Sequence, residues 1–357
     1  MTSCYVHIPF CQKKCNYCAF CSFFPKNEQI LCYFEAIKKE LKKKICHPIK
    51  TLYFGGGTPS FVPLSFYESL HFDFEEDYEF TFEVNPATVD KAYLEGLLGF
   101  GVNRLSIGVQ SFFDDDLKIL GRIHSAKEAI ECVELAHSVG FQDISVDLIY
   151  GLPNQNLSRL KKSLNEAIKL PINHLSSYGL KIEQGTFFGE NPPSNLPDED
   201  ACADMYLFLV DFLQKNGFFQ YEISNFAKNG RIGVHNSNYW ENNEYIGIGL
   251  GASGYEDGVR YQNSLNFQEY ILNPESSRSI SVLNKDDILE EGIFLGLRMN
   301  KGLDLDCFFK KYGVDLLADY KHVFDKYKEF FIFKNNSVAL NLQGFLISNV
   351  ILSEFIK

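Results

Sequence analysis

The stretch that decides the fold is YVHIPFCQKKCNYCAFCS, residues 5–22, in which a short apolar run leads into four closely spaced cysteines. Cys11, Cys15 and Cys18 follow the spacing C-x3-C-x2-C, and Cys21 comes three residues later. Three thiolates at this spacing can hold three irons of a [4Fe-4S] cluster and leave the fourth iron open. The amino and carboxylate groups of S-adenosylmethionine (SAM) can chelate such an iron. We therefore predict that these first three cysteines are the cluster ligands.

Other uses of the cysteines fit less well. An electron-transfer ferredoxin runs C-x2-C-x2-C-x3-C-P, and Cys15, Cys18 and Cys21 fit its start, but no Cys-Pro follows. A zinc site would place a second pair of ligands downstream, and none is present. The other six cysteines are scattered singly and no secretory signal precedes them, which argues against a disulfide framework. Cys21 is interpreted as a small buried residue beside the cluster, and a ligand role for it stays open.

The composition bounds the class of protein. A chain of 357 residues suits one large domain and a smaller one. Hydrophobic residues make up 45% and charged residues 22%, which is ordinary for a globular protein, and no apolar run of about 18 residues predicts a membrane span. A net charge of −12 argues against a nucleic-acid partner. Ten cysteines without a secretory signal predict a reducing, cytoplasmic location.

Six short apolar runs read as strands and alternate with amphipathic stretches. This alternation predicts βαβ units and a parallel sheet, and six units fall short of the eight that close a full barrel. The predicted fold class is therefore α/β, with an open, partial (βα)6 barrel. The predicted strands are residues 2–10, 51–57, 79–86, 103–111, 143–153 and 174–183, and the predicted helices between them are 27–44, 89–100, 125–140 and 155–170.

The pattern changes beyond residue 184. A helical run covers residues 198–216, a segment rich in Gly and Asn follows, and charged amphipathic stretches begin near residue 284 with a β-like pair at 330–341. We predict a barrel domain over 1–220, a connecting segment with the motif HNxxYW over 221–283, and a small C-terminal winged-helix-like helical domain over 284–357.

Polar and glycine residues recur at the carboxyl ends of the predicted strands, where barrels of this kind carry their chemistry. The cysteines follow the first strand, Gly55–Gly57 and Thr58 end the second, and Glu83 lies near the end of the third. Gln110 ends the fourth strand, and Asp147 lies late in the fifth. Features at the same end of successive strands predict one active site there.

The residue types suggest how this site would hold SAM. The glycines let the backbone approach a ligand, so their amides and carbonyls could hold the SAM amino group, although a tight turn alone would also explain them. Glu83 and Asp147 are carboxylates in apolar strands, where an unpaired charge is costly. They could accept hydrogen bonds from ribose hydroxyls or other ligand groups, or pair with Arg104 or Arg122. The guanidinium of Arg122 can bind the SAM carboxylate as a planar fork, and Gln110 can both donate and accept.

A second candidate site is the run HNSNYW, which begins at His235 and ends at Trp240, the only tryptophan. A histidine followed by Tyr239 and Trp240 suits a flat conjugated ligand such as a porphyrin, with the imidazole as axial ligand. Histidine–aromatic clusters also build ordinary cores. The competing candidates for such a ligand are His7, His124 and His174.

The motifs together extend over almost the whole chain: YFGGGTPS, FEVNPATV, RLSIGVQSF, LGRIH, SVDLIYGLPNQ, YEISNFAK, HNSNYW, GIGLGASG and EEGIFLGLRMNKG, besides the cysteine stretch. With these motifs the chain resembles the radical SAM family of oxygen-independent coproporphyrinogen III oxidase-like proteins, and is most similar to its heme chaperone branch. The resemblance implies a radical SAM barrel with Cys11, Cys15 and Cys18 as cluster ligands and His235, Tyr239 and Trp240 at heme. It implies SAM contacts at Tyr5, Gly56, Gly57, Thr58, Glu83, Gln110, Arg122 and Asp147.

Two departures separate the chain from the oxidase. The oxidase carries its fourth cysteine as C-x-C after the third ligand, whereas Ala19 and Phe20 intervene before Cys21 here. The oxidase also has a sizeable segment ahead of the cluster, and only ten residues precede Cys11 here. The resemblance therefore implies a chaperone without coproporphyrinogen oxidase activity, with the oxidase as the alternative and a ferredoxin-like electron carrier as a third hypothesis.

The implied cofactors are a [4Fe-4S] cluster, SAM and heme. The implied partners are heme-accepting apoproteins such as respiratory cytochromes and a reductant such as flavodoxin or ferredoxin. Peripheral contact with the inner membrane surface is a further expectation, although the acidic charge provides no obvious anchor.

Overall fold

The computed structural model describes residues 2–274 and 277–356. Six parallel strands lie in chain order in one sheet, as the sequence predicted. They are β1 (Ser3–Ile8), β2 (Ile49–Gly56), β3 (Phe74–Val84), β4 (Arg104–Gln110), β5 (Asp143–Tyr150) and β6 (His174–Gly179). The predicted parallel α/β sheet of six strands is therefore confirmed.

Helices connect these strands, and several begin at the residue whose side chain caps them. Asp90, Ser125, Asn156 and Asp198 each accept a hydrogen bond from a backbone N–H of the first turn, so each of these helices begins one or two residues later than predicted. The helices are α1 (Asn27–Lys44), α2 (Leu64–Tyr67), α3 (Lys91–Gly99), α4 (Asp114–Leu120), α5 (Ala126–Val139), α6 (Leu157–Ala167), α7 (Phe187–Glu190) and α8 (Glu199–Lys215), with 3-10 turns at Pro59–Phe61 and Pro86–Thr88.

Three further strands extend the sheet to nine. β7 (Phe219–Glu222) pairs with β8 (Asn225–Ala227), which lies antiparallel beside β6, and β9 (Ile246–Ile248) lies parallel to β1 on the opposite edge. The segment between residues 221 and 283, predicted as a connector, thus contributes strands to the main sheet. It also contains α9 (Val234–Trp240), α10 (Phe267–Leu272) and an antiparallel sheet of β10 (Ser253–Glu256), β11 (Val259–Gln262) and β12 (Ser279–Val282).

The C-terminal part is helical and carries a small antiparallel sheet, as predicted. Its hairpin turns at Asn335 and Asn336, both with positive φ, as tight hairpin turns require. Its elements are α11 (Lys285–Gly296), β13 (Leu303–Asp304), α12 (Leu305–Tyr312), α13 (Leu316–Asp319), α14 (Lys321–Lys326), a 3-10 turn (Lys328–Phe330), β14 (Phe331–Lys334), β15 (Ser337–Leu340), α15 (Leu342–Leu346) and α16 (Ser348–Ser353). The division of the chain at residues 220 and 283 stays a prediction.

Alternation along the six parallel strands separates the core from the barrel interior. One set of side chains, including Val6, Phe54, Phe82, Ile107 and Val146, belongs to the apolar core. The side chains between them are mostly polar and line the cavities at the barrel mouth: Tyr5, His7, Tyr53, Glu83, Ser106, Gln110, Asp147, Ser176 and Tyr178. A typical (βα)8 barrel fills its interior with Val, Ile and Leu, so this polar interior is suited to hold a ligand.

In the part of the chain that the structure describes, no helix combines the length and the apolar character needed to cross a bilayer.

Candidate functional site

Two cavities meet at the carboxyl end of the parallel strands. The smaller one, called the thiol cavity here, measures about 450 Å³ and is lined by Cys11, Cys15 and Cys18. The larger one, called the outer cavity, measures about 1210 Å³ and reaches from the barrel mouth to α11 and the sheet of β10–β12. The two cavities share the wall residues Ala19, Phe20, Tyr53, Gly56, Glu83, Tyr178 and Asn236.

The thiol cavity brings together most of the predicted cluster and SAM residues. Besides the three cysteines, its lining contains Gly56, Gly57, Thr58, Glu83, Gln110, Arg122 and Asp147. Tyr5 instead lines the outer cavity, where its hydroxyl lies 2.9 Å from His7 Nδ1. Ten of the eleven residues predicted to hold the cluster or SAM thus line one cavity at the strand ends, where barrels of this kind carry their chemistry.

The three thiols fit a cluster by their donor chemistry. Thr58 Oγ1 donates to Cys11 Sγ at 3.4 Å and Arg122 Nη1 donates to Cys15 Sγ at 3.5 Å, so both sulfurs have donors that favour the thiolate. Burial raises the pKa of the Cys11 and Cys18 thiols, so metal must displace their protons. Among the described residues, no three His, Cys, Asp or Glu side chains converge on one metal ion. A [4Fe-4S] cubane does not need such convergence, because each of its cysteines binds a separate iron.

Cys21 is separated from these three thiols. It lies in the lining of the outer cavity, and its backbone carbonyl accepts a hydrogen bond from His7 Nε2 at 2.8 Å. His7 Nδ1 therefore accepts from the Tyr5 hydroxyl, and burial lowers the pKa of His7 and keeps the ring neutral.

The loop at the end of β2 requires glycine, because other groups lie very close to its backbone. Gly56 has φ +110°, and a Cβ there would lie 2.4 Å from the His7 ring; a Cβ on Gly57 would lie 2.8 Å from the Ile8 carbonyl oxygen. The amides expected to bind SAM are already used, because Gly56 N–H donates to Glu83 and Gly57 N–H donates to Ile8. Only carbonyl oxygens of this loop would suit an ammonium group.

Both carboxylates are held by neutral donors instead of by arginines. Glu83 accepts from the Tyr53 hydroxyl at 2.9 Å and from Gly56 N–H at 3.1 Å, and Asp147 accepts from Ser106 Oγ at 3.1 Å. Burial, with Asp147 nearby, raises the pKa of Glu83 to about 7 against the effect of these hydrogen bonds. Burial also raises the pKa of Asp147. The predicted alternative partner Arg104 instead lies 3.7 Å from Asp143.

Arg122 and Gln110 carry signs of a binding role. Arg122 Nη2 donates to the Gly108 carbonyl at 2.6 Å, while its Nε is buried without a hydrogen-bond partner in the described part of the chain. Such an orphaned donor is costly unless a ligand satisfies it. Gln110 has φ +68° at a register shift at the end of β4, a strained backbone of the kind found at functional sites.

The HNSNYW segment forms α9, whose His235 is 1% exposed. Its Nδ1 lies 2.9 Å from Thr51 Oγ1, which itself donates to Ser3, so Nδ1–H is the donor to Thr51. Nε2 therefore accepts from the Tyr239 hydroxyl at 2.7 Å. The lone pair that would bind iron is thus engaged, and burial lowers the pKa of His235 to about 3.

The three predicted heme residues are only partly brought together. His235 and Tyr239 line the outer cavity, together with Asn236. The Trp240 ring instead packs under the guanidinium of Arg298, 4.9 Å from the ring centroid. The competing histidines are also engaged: His124 Nε2 bonds the Val109 carbonyl and His174 bonds Ser145 and Tyr221.

Comparison with known proteins shows the family of the chain. The family model described as "Radical SAM superfamily" matches residues 5–167, and that described as "HemN C-terminal domain" matches residues 283–346. A "Heme chaperone HemW" of Lactococcus lactis is 37% identical, with 87% of this chain and 85% of the relative covered. The Bacillus subtilis protein of the same name is 35% identical, with 100% and 99% covered. The chain belongs to the HemW family of radical SAM proteins.

A solved structure supports the same fold. Coproporphyrinogen III oxidase (HemN) from Escherichia coli, described as a radical SAM enzyme, superposes with a TM-score of 0.86 at 22% identity, covering 100% of this chain and 90% of that one. This likeness shows the fold. The radical SAM fold in turn implies a [4Fe-4S] cluster and SAM.

Sequence reasoning missed four residues that shape the site. Tyr53 and Tyr178 form part of the wall between the cavities, and Ser106 and Ser176 hold Asp147. Tyr53 and Ser106 alternate with buried apolar residues along their strands, and Ser176 and Tyr178 lie two residues apart on one face of β6. Period-two alternation, read from Glu83 and Asp147 across neighbouring strands, could have identified them.

Proposed function

We propose that the chain is a heme chaperone, which holds a [4Fe-4S] cluster with SAM in the thiol cavity and heme in the outer cavity, and delivers heme to acceptor proteins such as respiratory cytochromes. Curated relatives that are 35–37% identical over most of the chain carry the name heme chaperone. The observation that carries the proposal is the outer cavity, which adjoins the thiol cavity through a shared wall.

In this proposal, the thiol cavity divides its work among its own side chains. Cys11, Cys15 and Cys18 hold the cluster, and Arg122 with Gln110 binds the SAM carboxylate. Glu83 and Asp147 accept hydrogen bonds from SAM ammonium or hydroxyl groups, and Gly56, Gly57 and Thr58 complete the walls. Tyr5 lines the outer cavity, so its predicted contact with SAM would have to cross the shared wall. If bound, the cluster would supply one-electron transfer to SAM.

The outer cavity suits a flat, largely apolar ligand. Its volume of about 1210 Å³ is somewhat larger than the ~300–1,000 Å³ of ordinary small-molecule sites. Phe20 is 65% exposed and Leu265 62% exposed along its lining, and uncovered apolar surface of this kind marks binding sites. Heme ligation by His235 stays a prediction, and it requires the Tyr239 hydroxyl to release Nε2.

We extend the proposal to the setting of the protein. It acts in the cytoplasm, receives electrons from a flavodoxin or ferredoxin, and touches the inner membrane surface when its acceptor is membrane-bound. The outer cavity is lined by residues of the predicted barrel domain such as Tyr5, of the segment over 221–283 such as Arg260, and of the predicted helical domain such as Glu291.

Heme titration monitored by absorbance tests the outer cavity. Leu265→Glu places a charge on its wall and should weaken heme affinity at least about tenfold, since burying an unpaired charge is costly. Leu272→Glu is the matched control, because Leu272 is 81% exposed and outside the cavity lining. Wild-type affinity in both variants would reject this heme site.

An anaerobic assay with coproporphyrinogen III, SAM and a reductant tests the function itself. We expect no protoporphyrinogen IX, together with transfer of bound heme to an apo-cytochrome. Sustained protoporphyrinogen production would replace the chaperone with the oxidase.

A further inference from the structure

His235 lines the outer cavity, next to Asn236 and in contact with Tyr53, which both belong to the wall that the two cavities share. Its ring is buried inside the barrel and bridges Thr51 on β2 and Tyr239 on its own helix. Glu79 fixes the start of α9, because its two carboxylate oxygens accept the backbone N–H groups of Val234 at 2.7 Å and of His235 at 2.9 Å. The imidazole therefore has its position set by backbone and by both ring nitrogens.

Tyr53 connects this fixed ring to the thiol cavity. The Tyr53 ring stacks on His235 with centroids 5.2 Å apart and planes 30° apart. Its hydroxyl donates to Glu83 Oε1 at 2.9 Å, and Gly56 N–H holds the other oxygen of the same carboxylate. Tyr53 thus connects the fixed ring of His235 to the carboxylate of Glu83 in the shared wall.

We propose that His235 is a positioning residue for Glu83: its ring holds Tyr53 so that the Tyr53 hydroxyl orients the Glu83 carboxylate toward SAM. The HNSNYW segment thereby serves the thiol cavity as well as the outer cavity. This inference rests on the proposed assignment of Glu83 to SAM.

SAM affinity of the anaerobically reconstituted protein, measured by calorimetry, tests the proposal. Tyr53→Phe should weaken SAM binding about tenfold, the usual cost of one hydrogen bond to a charged group. His235→Ala should weaken it by a similar factor, and the double variant should lose little more than either single variant, because both remove one linked interaction. His235→Phe keeps an aromatic face under Tyr53 and should recover affinity to within about threefold of wild type.

His174→Ala is the matched control. His174 is likewise fully buried in the barrel with both ring nitrogens hydrogen-bonded, but to Ser145 and Tyr221. It should lower the unfolding midpoint and leave SAM affinity unchanged. If His235→Ala does not fold, Thr51→Val replaces it, since it removes the acceptor of Nδ1–H.

Several outcomes would overturn the inference. Unchanged SAM affinity in His235→Ala beside a weakened Tyr53→Phe would remove His235 from the positioning of Glu83. Multiplying losses in the double variant would show that His235 and Tyr53 act independently. An equal loss in His174→Ala would show general destabilisation. Unchanged affinity in Glu83→Gln would reject the assignment of Glu83 to SAM and this inference with it, whereas heme titration of the Leu265 variant tests the proposed heme site separately.

Discussion

Glu83 is the carboxyl of the shared wall, and the fold changes its ionisation. Its carboxyl lines both cavities, and burial raises its pKa to about 7 although Tyr53 and Gly56 donate to it. A carboxyl with a pKa near neutrality is poised to become charged when a cationic ligand arrives.

Replacing Glu83 with glutamine should change how stability depends on pH. Between its ordinary pKa of 4.5 and about 7, the folded protein keeps a proton that the unfolded chain has lost, so Glu83 makes stability fall as pH rises. Glu83→Gln should remove about 2 kcal/mol of that decline, allowing for screening by cavity water. Urea unfolding of apo-protein at pH 4.5 and 7.5 measures the difference. Glu131 is an exposed glutamate paired with Lys127. Glu131→Gln should keep the wild-type decline in stability with pH, and equal profiles for both variants would contradict the raised pKa of Glu83.

The cysteines make a second prediction at this scale. Cys11→Ala should lose most cluster iron and sulfide after anaerobic reconstitution, because its thiol lies in the thiol cavity. Cys21→Ala should retain wild-type content, since its thiol lies in the outer cavity. Loss of the cluster in Cys21→Ala with retention in Cys11→Ala would favour a ferredoxin-type site instead.

The site residues could be predicted from sequence where they end strands, and could not where a distant contact decides their role. Cys11, Glu83 and Asp147 follow from position along β1, β3 and β5. The hydrogen bond between His235 and Thr51 joins residues 184 positions apart, and Trp240 packs against Arg298. Neither contact produces a local sequence pattern. The sequence therefore predicted only a heme site for this segment and gave no sign that His235 contacts Thr51 inside the barrel.

At the scale of elements, the loop after β2 depends on glycine for shape. Gly56→Ala should destabilise the apo-protein by about 2 kcal/mol or more, since φ is +110° and the added Cβ would meet the His7 ring. Gly99→Ala is the control, because Gly99 ends α3 with open space around it, and it should change stability by less than about 1 kcal/mol. Denaturant midpoints measure both, and equal effects would show that the loop tolerates a side chain.

Element prediction succeeded where local patterns are long. The helix over residues 27–44 matches α1 at both ends, and the six parallel strands appear in the predicted order. β9 has three residues and pairs with β1, more than 230 residues earlier, so no local signal identifies it. Strand pairing of this kind is decided by tertiary packing.

At the scale of the whole molecule, the two cavities share a wall and should therefore influence each other. If heme takes Nε2 of His235 from Tyr239, Tyr53 loses its fixed support and SAM should bind about three- to tenfold more weakly to heme-loaded protein. Linkage requires SAM to weaken heme binding by the same factor. Calorimetric titration of each ligand with and without the other measures this, and independent affinities would contradict the coupling.

In our proposal, three thiols hold one cubane and leave an iron open to SAM. Electron paramagnetic resonance of the reduced, anaerobically reconstituted protein tests it most directly. We predict a [4Fe-4S]⁺ signal whose g-values shift when SAM is added, in the wild type and in Cys21→Ala. A protein without iron and sulfide, or a signal that SAM leaves unchanged, would contradict the account.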